Sequence, residues 1–283
     1  MKDKENNQKG CSVQECSTDD INHLGSSPLY TIFLFEGSGK VSVDLVEYSF
    51  NGKIVLFSTP YQMVYFNVKS PIKVRKLQFH GDFYCIEYHK KEVACNGLLF
   101  NNIYQQTFIN LKEEDFAEID SILRKMIIEL QESNTYAAAV VKAYLQLILA
   151  LCSKIKSKDN SIEAEKNAHH PLMNFKELLE NNFHKERQPS FYAAKMGISP
   201  NYFSKICKQY FLKTPSTLIH ERVILESKKL IHLTYKSMKE IAAELNFDDE
   251  NYFSRYFKKH TGITPTAFRE NVGISIVADL SRQ

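Results

Sequence analysis

The chain has 283 residues, 43% of them hydrophobic and 24% charged, enough for two domains of ordinary size with real cores. Its six cysteines form no C-x-x-C pair, which argues against a zinc ribbon and a thioredoxin-like motif. The polar first ten residues carry no apolar core of a secretory signal, and the most apolar stretch, residues 137–152, is short for a membrane span and broken by Lys142 and Gln146. The net charge of +3 divides unevenly: residues 168–283 hold 17 Lys and Arg against 12 Asp and Glu, and the rest hold 19 against 21. The C-terminal part is thus the side suited to a polyanion, although charge alone fits a slightly basic domain without such a partner equally well. A reduced, soluble, cytoplasmic protein is expected, with no membrane partner.

Residues 1–27 are polar and aperiodic and read as a flexible tail. Residues 28–111 have the texture of strands. The run 29–35 is rich in β-branched and aromatic residues, and Gly37-Ser38-Gly39 is expected to break it. Val41, Val43 and Leu45 alternate with polar residues, and Asn51-Gly52 is a strong hairpin-turn signal because both tolerate positive φ. Residues 53–57 follow and end at Thr59-Pro60, with further strands predicted over 64–68, 74–79 and 84–88. Many short strands between turns suggest a barrel or jelly roll.

From residue 112 the period becomes helical. Phe116, Ile119, Ile122, Leu123, Met126, Ile127 and Leu130 share one face, and a second apolar helix runs over 135–155. This helical hairpin, residues 112–157, either packs on the strands or joins two copies of the chain. Residues 158–170 are polar and uneven and read as a linker. Residues 171–273 look helical, and 274–283 form a tail.

The helical part contains a repeat. Asn-Tyr-Phe-Ser occurs at Asn201 and Asn251, and Thr-Pro at Thr214 and Thr264, about 50 residues apart. Each copy has the parts of a helix-turn-helix: Ala193-Ala194 or Ala242-Ala243 for a close crossing, and Gly197 or Asn246 at a left-handed turn. A cap then opens the second helix, Ser199 before Pro200 in one copy and Asp249 in the other. With Phe203 and Phe253 turned inward, Asn201, Ser204, Lys205 and Lys208 face outward in the first copy. Glu250, Asn251, Ser254, Arg255 and Lys258 do so in the second. These hydrogen-bonding and cationic groups suit base edges and phosphates. A long helix from Pro215 to Leu233 joins the copies, and Ser237-x-x-Glu240 is a capping box. Such a connector holds two recognition helices about one DNA turn, roughly 34 Å, apart.

Over residues 175–272, and best over Ile241-Ala-x-Glu-x-x-Phe247, Tyr252-Phe-Ser-Arg-x-Phe-Lys-Lys-x-x-Gly-x-Thr-Pro265 and Phe268-Arg269, the chain resembles the AraC/XylS family of bacterial transcription regulators. The resemblance implies a seven-helix domain with two recognition helices, promoter DNA and RNA polymerase as partners, and activation as the commoner behaviour. Asn246 departs from the family's glycine before Phe247, and Ser227 from a common alanine. Leu77-x-Phe79-x-x-Asp82-Phe83 and Thr59-Pro60-x-Gln62 look more loosely like pieces of that family's cupin-like sensor, which implies an effector-binding, homodimerising N-terminal half. The expected architecture is α+β: an N-terminal cupin-like β-barrel with a helical hairpin, then an all-α domain of two helix-turn-helix motifs.

Other site chemistries compete. Phe33, Phe35, Tyr48, Phe57, Tyr65 and Phe79 are candidates for an apolar effector pocket, though such residues more often fill a barrel. His80, Cys85, His89 and Cys95 share one strand-rich stretch but match no ligand spacing, so a metal-dependent cupin enzyme with an accessory helical domain is the weaker alternative. No nucleophile–base arrangement or phosphate loop is legible, and neither an enzyme nor a cofactor is expected.

Overall fold

The computed structural model describes residues 10–44, 46–84, 98–100, 103–132, 135–167, 172–274 and 278. The chain forms two compact units, residues 1–102 with 106–159 and residues 103–105 with 160–283.

The first unit is built on a six-stranded antiparallel sheet of β1 (Cys11–Ser17), β2 (Tyr30–Val43), β3 (Val46–Ser58), β4 (Val64–Asn67), β5 (Lys73–Phe79) and β6 (Phe108–Leu111). The strand order is β1-β5-β2-β3-β6, with β4 also on β2. Two turn expectations fail here for one reason. The β2–β3 register runs unbroken from Thr31 opposite Ser58 to Val43 opposite Val46, so the hairpin turns after Asp44. Asn51-Gly52 instead lies mid-strand opposite Ser38 and Gly37. This register pairs thirteen residues of each strand, including Val41 with Tyr48, which a turn at Asn51 would forfeit. Gly37-Ser38-Gly39 does not end the strand either. The neighbour of β2 changes there, from β5 beside residues 30–35 to β4 beside 40–43. The intervening chain lies against the glycines: a Cβ on Gly37 would stand 2.5 Å from Ile72 Cδ1, and one on Gly39 2.8 Å from Val68 Cγ1 and 3.0 Å from the Asn67 carbonyl oxygen.

Residues 11–24 are not tail. They form β1 and the short helix α1 (Thr18–Leu24), opened by a capping box in which Asp20 N–H donates to Ser17 Oγ and Ser17 N–H to Asp20. Asn22 then acts as a surrogate strand residue, accepting from Phe66 N–H (2.7 Å) and donating to Phe66 C=O (2.8 Å).

Helix α2 (Glu113–Gln131) buries Ile119, Ile122, Leu123 and Met126, the stripe read from periodicity. Helix α3 (Ala137–Asn167) buries Val141, Leu145, Ile148, Leu149 and Cys152 with them. Within it Ala137–Lys158 is long and apolar enough to cross a membrane by length and composition. Its buried face packs in the same cluster as the sheet and α2, which also makes it a core helix. The polar residues 158–167, read as linker, continue α3.

The second unit carries seven helices over 172–272: α4 (Leu172–Asn182), α5 (Pro189–Lys195), α6 (Pro200–Phe211), α7 (Pro215–Leu233), α8 (Met238–Glu244), α9 (Glu250–Thr261) and α10 (Pro265–Val272). Phe175, Tyr192, Phe203, Leu218, Ile219, Val223, Ile231, Phe253 and Phe257 are fully buried in it.

Candidate nucleic-acid interface

Helices α5–α6 and α8–α9 are two helix-turn-helix motifs closed by the same hydrogen bonds. Gly197 N–H donates to Ala194 C=O and Ile198 N–H to Ala193 C=O, both at 3.0 Å. In the second motif Asn246 N–H donates to Ala243 C=O (3.0 Å) and Phe247 N–H to Ala242 C=O (2.9 Å). Gly197 has φ +67° and Asn246 φ +55°, so asparagine, which tolerates the left-handed region, reproduces the glycine turn. The caps fall where their side chains predict: Ser199 Oγ accepts from Tyr202 N–H at 3.3 Å, and Asp249 from Tyr252 N–H at 2.7 Å. The recurring Thr-Pro is also explained. Thr214 and Thr264 cap α7 and α10 through Thr217 N–H (3.1 Å) and Ala267 N–H (3.2 Å), with Pro215 and Pro265 at the first helical position.

Rigid turns and caps give the two second helices one pose relative to their own supports. From Asn201 to Tyr210 and from Asn251 to His260 the burial pattern is the same position by position. Phe203, Ile206 and Cys207 turn inward, as do Phe253, Tyr256 and Phe257. Asn201, Lys205, Lys208, Glu250, Asn251, Arg255 and Lys258 are exposed, and Ser204 and Ser254 are half-buried. The nine residues read from the sequence as DNA-facing therefore lie on two equivalent helix faces. Among the described residues Lys205, Lys208, Arg255 and Lys258 have no carboxylate in ion-pair range, whereas Lys213, Arg222 and Lys236 of the same unit are paired with Glu221, with Glu180 and Glu226, and with Glu244. The paired cations tie elements of the scaffold together.

The scaffold holds residues that the pattern did not disclose. Arg187, just before α5, donates to the Leu245 and Asn246 carbonyls and lies 3.9 Å over the Phe247 ring, so a residue beside the first motif clamps the turn of the second. Behind α9, His220 Nδ1 and Tyr256 Oη are 2.7 Å apart, with the His260 ring 4.7 Å from that of His220. Burial, then the facing His260, Lys259 and Arg187, pull the His220 pKa down to about 4, which keeps the imidazole neutral at its hydrogen bond with the tyrosine hydroxyl. A lone arginine six residues from the nearest helix-turn-helix alanine gives no periodic signal, and neither does a histidine within a long amphipathic helix.

The aromatic pocket candidates of the first unit do not share a face. Phe33, Phe35 and Tyr48 belong to one buried cluster with Phe50, Phe66 and Phe108, whereas Phe57 and Phe79 belong to the other, against α2 and α3. The period of two decides this: Phe33 is opposite Leu56, and Phe57 is opposite Ile32. Tyr65 is 55% exposed. The six are therefore not one lining. In the Phe33 cluster the rings pack on one another, Phe35 with centroids 5.1 Å from both Phe50 and Phe66. The Thr59–Gln62 turn is held by Gln62, which accepts from Thr59 N–H (2.9 Å) and donates to Asp44 (3.1 Å). Of the metal candidates, His80 Nδ1 accepts from Asp82 N–H at 3.2 Å, and Cys85, His89 and Cys95 lie outside the described residues. Among the described residues no group of three or more His, Cys, Asp or Glu stands close enough to hold a metal.

A family model described as a helix-turn-helix domain matches residues 192–271. An uncharacterized HTH-type transcriptional regulator in the cgkA 5' region of Pseudoalteromonas carrageenovora is 32% identical over 123 residues, 41% of this chain and 73% of that protein. The probable transcription factor PqrA of Proteus vulgaris is 34% identical over 79 residues, 28% of this chain and 65%, just under two thirds, of its own length. Among solved structures, ToxT from Vibrio cholerae O395 aligns over 94% of this chain and 99% of its own at 15% identity, with a TM-score of 0.41. A relative followed over 73% of its length, together with a matched domain that coincides with the paired motifs, makes the chain a DNA-binding transcription regulator belonging to the AraC/XylS family.

Proposed function

We propose that the protein is a cytoplasmic transcription activator that binds double-stranded promoter DNA through Asn201, Ser204, Lys205 and Lys208 of α6 and Glu250, Asn251, Ser254, Arg255 and Lys258 of α9, with the two helices in successive major grooves. The observation that carries this is the set of exposed, carboxylate-free cations and amides repeated on α6 and α9. RNA polymerase is the second partner, as activation requires. The N-terminal unit is the regulatory half. Its sheet face with Phe33, Phe35 and Tyr48 suits a small apolar effector, and the exposed Ile128 and Leu147 of α2 and α3 offer apolar surface for a second copy. No catalytic role is assigned, and a stoichiometric metal held by His80 or His89 on the purified chain would revive the metal-dependent alternative.

Genome-wide mapping of bound sites, with transcripts measured with and without the protein, tests the proposal. Discrete promoter-proximal sites whose genes fall in expression when the protein is removed are expected. Sites without enrichment over input reject the DNA assignment, and genes that rise on removal reject activation.

A further inference from the structure

The two recognition helices are more alike outside than inside. At the exposed and half-exposed positions up to Lys208 and Lys258, Asn201 matches Asn251, Tyr202 matches Tyr252, Ser204 matches Ser254, Lys205 is replaced by Arg255, and Lys208 matches Lys258; beyond them, away from the helix N-terminus, Gln209 is replaced by Lys259 and Tyr210 by His260. At the buried positions Ile206 is replaced by Tyr256, Cys207 by Phe257 and Phe211 by Thr261, with Phe203 and Phe253 alone in common. A duplicated motif kept only for its packing would show the reverse, because cores are sensitive to single methylenes and solvated surfaces are not. The matched turns and caps place each exposed residue at the same helical position: Asn at the second residue after the cap, Tyr at the third and Lys or Arg at the sixth.

We infer that the DNA site is itself a near-repeat: two submotifs of the same base pattern, one helical turn apart, that differ at one base pair read by Glu250. This rests on the DNA-reading assignment above and adds what is read. Asn201 and Asn251 each suit the N6 and N7 edge of adenine, and Lys205 and Arg255 the O6 and N7 edge of guanine. Asparagine and cation are one helical turn apart, about 6 Å, so each submotif holds its A·T and G·C pairs within about two to three base pairs. The first residue of each helix breaks the match. Pro200 offers no hydrogen-bonding side chain, whereas Glu250 is an exposed carboxylate that suits the N4 amino donor of cytosine.

The test is selection of binding sites by the full chain from randomised duplexes, repeated with Glu250→Ala and with Glu250→Gln as the variant that keeps side-chain shape. The expected result for the unaltered chain is two copies of one A- and G-bearing submotif, in either orientation, with centres about 10 base pairs apart. Cytosine at the extra pair should be preferred in one copy only, by roughly 5- to 150-fold. Glu250→Ala should bring that preference to about unity and make the two copies more alike, and Glu250→Gln should shift it toward adenine. Two dissimilar submotifs, or a preference unmoved by both variants, overturn the inference and leave DNA reading intact. No enriched sequence at all overturns both.

Discussion

At the scale of single residues, the two motifs differ instructively where α6 and α9 end. Gly262 closes α9 at φ +82°, and Leu212 closes α6 in the same left-handed region at φ +59°. A leucine there costs roughly 1–2 kcal/mol in backbone strain. Leu212 is 53% exposed, so little burial is lost with its side chain. Leu212→Gly is therefore expected to raise stability by up to about 1 kcal/mol, after the greater unfolded-state entropy of glycine is set against the relieved strain. Urea denaturation followed at the C-terminal unit measures it, and a lower midpoint would show that Leu212 contributes contacts that outweigh its backbone. His220 gives a second expectation. Its folded pKa of about 4 lies below the ordinary histidine value, so the unfolded chain takes up the proton first as pH falls. The stability due to the neutral His220–Tyr256 pair is present at neutral pH and lost as pH falls from about 6.5 toward 4. The drop in urea midpoint between about pH 7 and about pH 4.5 should be larger in the unaltered chain than in His220→Gln, and equal drops would remove His220 from the acid response.

At the scale of elements, the helices with their ends were legible in the sequence, and so were the strands over 64–67 and 73–79 and much of β2 and β3, whereas the pairing and turns of the sheet were not, for a physical reason. Helix ends are written locally, so Ser199, Thr214, Ser237, Asp249 and Thr264 all cap where a few neighbouring residues say they should. Strand pairing is a contact between distant segments. Asn51-Gly52 is a sound turn in isolation and was overruled by thirteen paired residues on either strand. The segment 11–24 was missed because its partners, Phe79 to Lys73 for β1 and the Phe66 backbone for Asn22, are 44 or more residues away. The aromatic pocket failed on register as well, since composition does not tell Phe57 from Leu56 but the pleat sends them to opposite faces. The recognition faces, by contrast, needed only the local helical period. The glycines of β2 make the sheet's dependence on distant chain measurable. Gly39→Ala brings a Cβ against the rigid Asn67 carbonyl and Val68, so it should destabilise the N-terminal unit by about 1–3 kcal/mol. Gly52→Ala meets nothing within 4 Å, although its φ of +99° still strains an alanine. Unfolding of the first unit in Gly39→Ala distinguishes the two views: an unchanged midpoint would mean that the 67–72 connection shifts without cost.

At the scale of the whole molecule, one chain presents two reading heads joined by α7, whose buried Leu218, Ile219, Val223, Ser227, Leu230 and Ile231 anchor it in the core of the helical unit. The second head is thereby bound at high effective concentration once the first has docked, and a duplex carrying one submotif should bind about 10²–10⁴-fold more weakly than one carrying both. Salt separates the roles of the cations within each head. Lys258 stands in the last turn of α9, three residues beyond Arg255, away from the helix N-terminus that enters the groove. A phosphate contact there releases a counterion and carries no sequence information, so Lys258→Ala should weaken binding to all duplexes alike and flatten the slope of log K against log salt by about 1. Arg255→Ala should cost about 1–3 kcal/mol on a duplex with the preferred guanine and much less on one without it. Measured together across salt concentrations, the two variants divide the interface into a part that grips the backbone and a part that reads. If both flattened the slope equally and neither depended on the base, Arg255 would be a phosphate contact, and the reading of that face would fall to Asn251, Ser254 and Glu250.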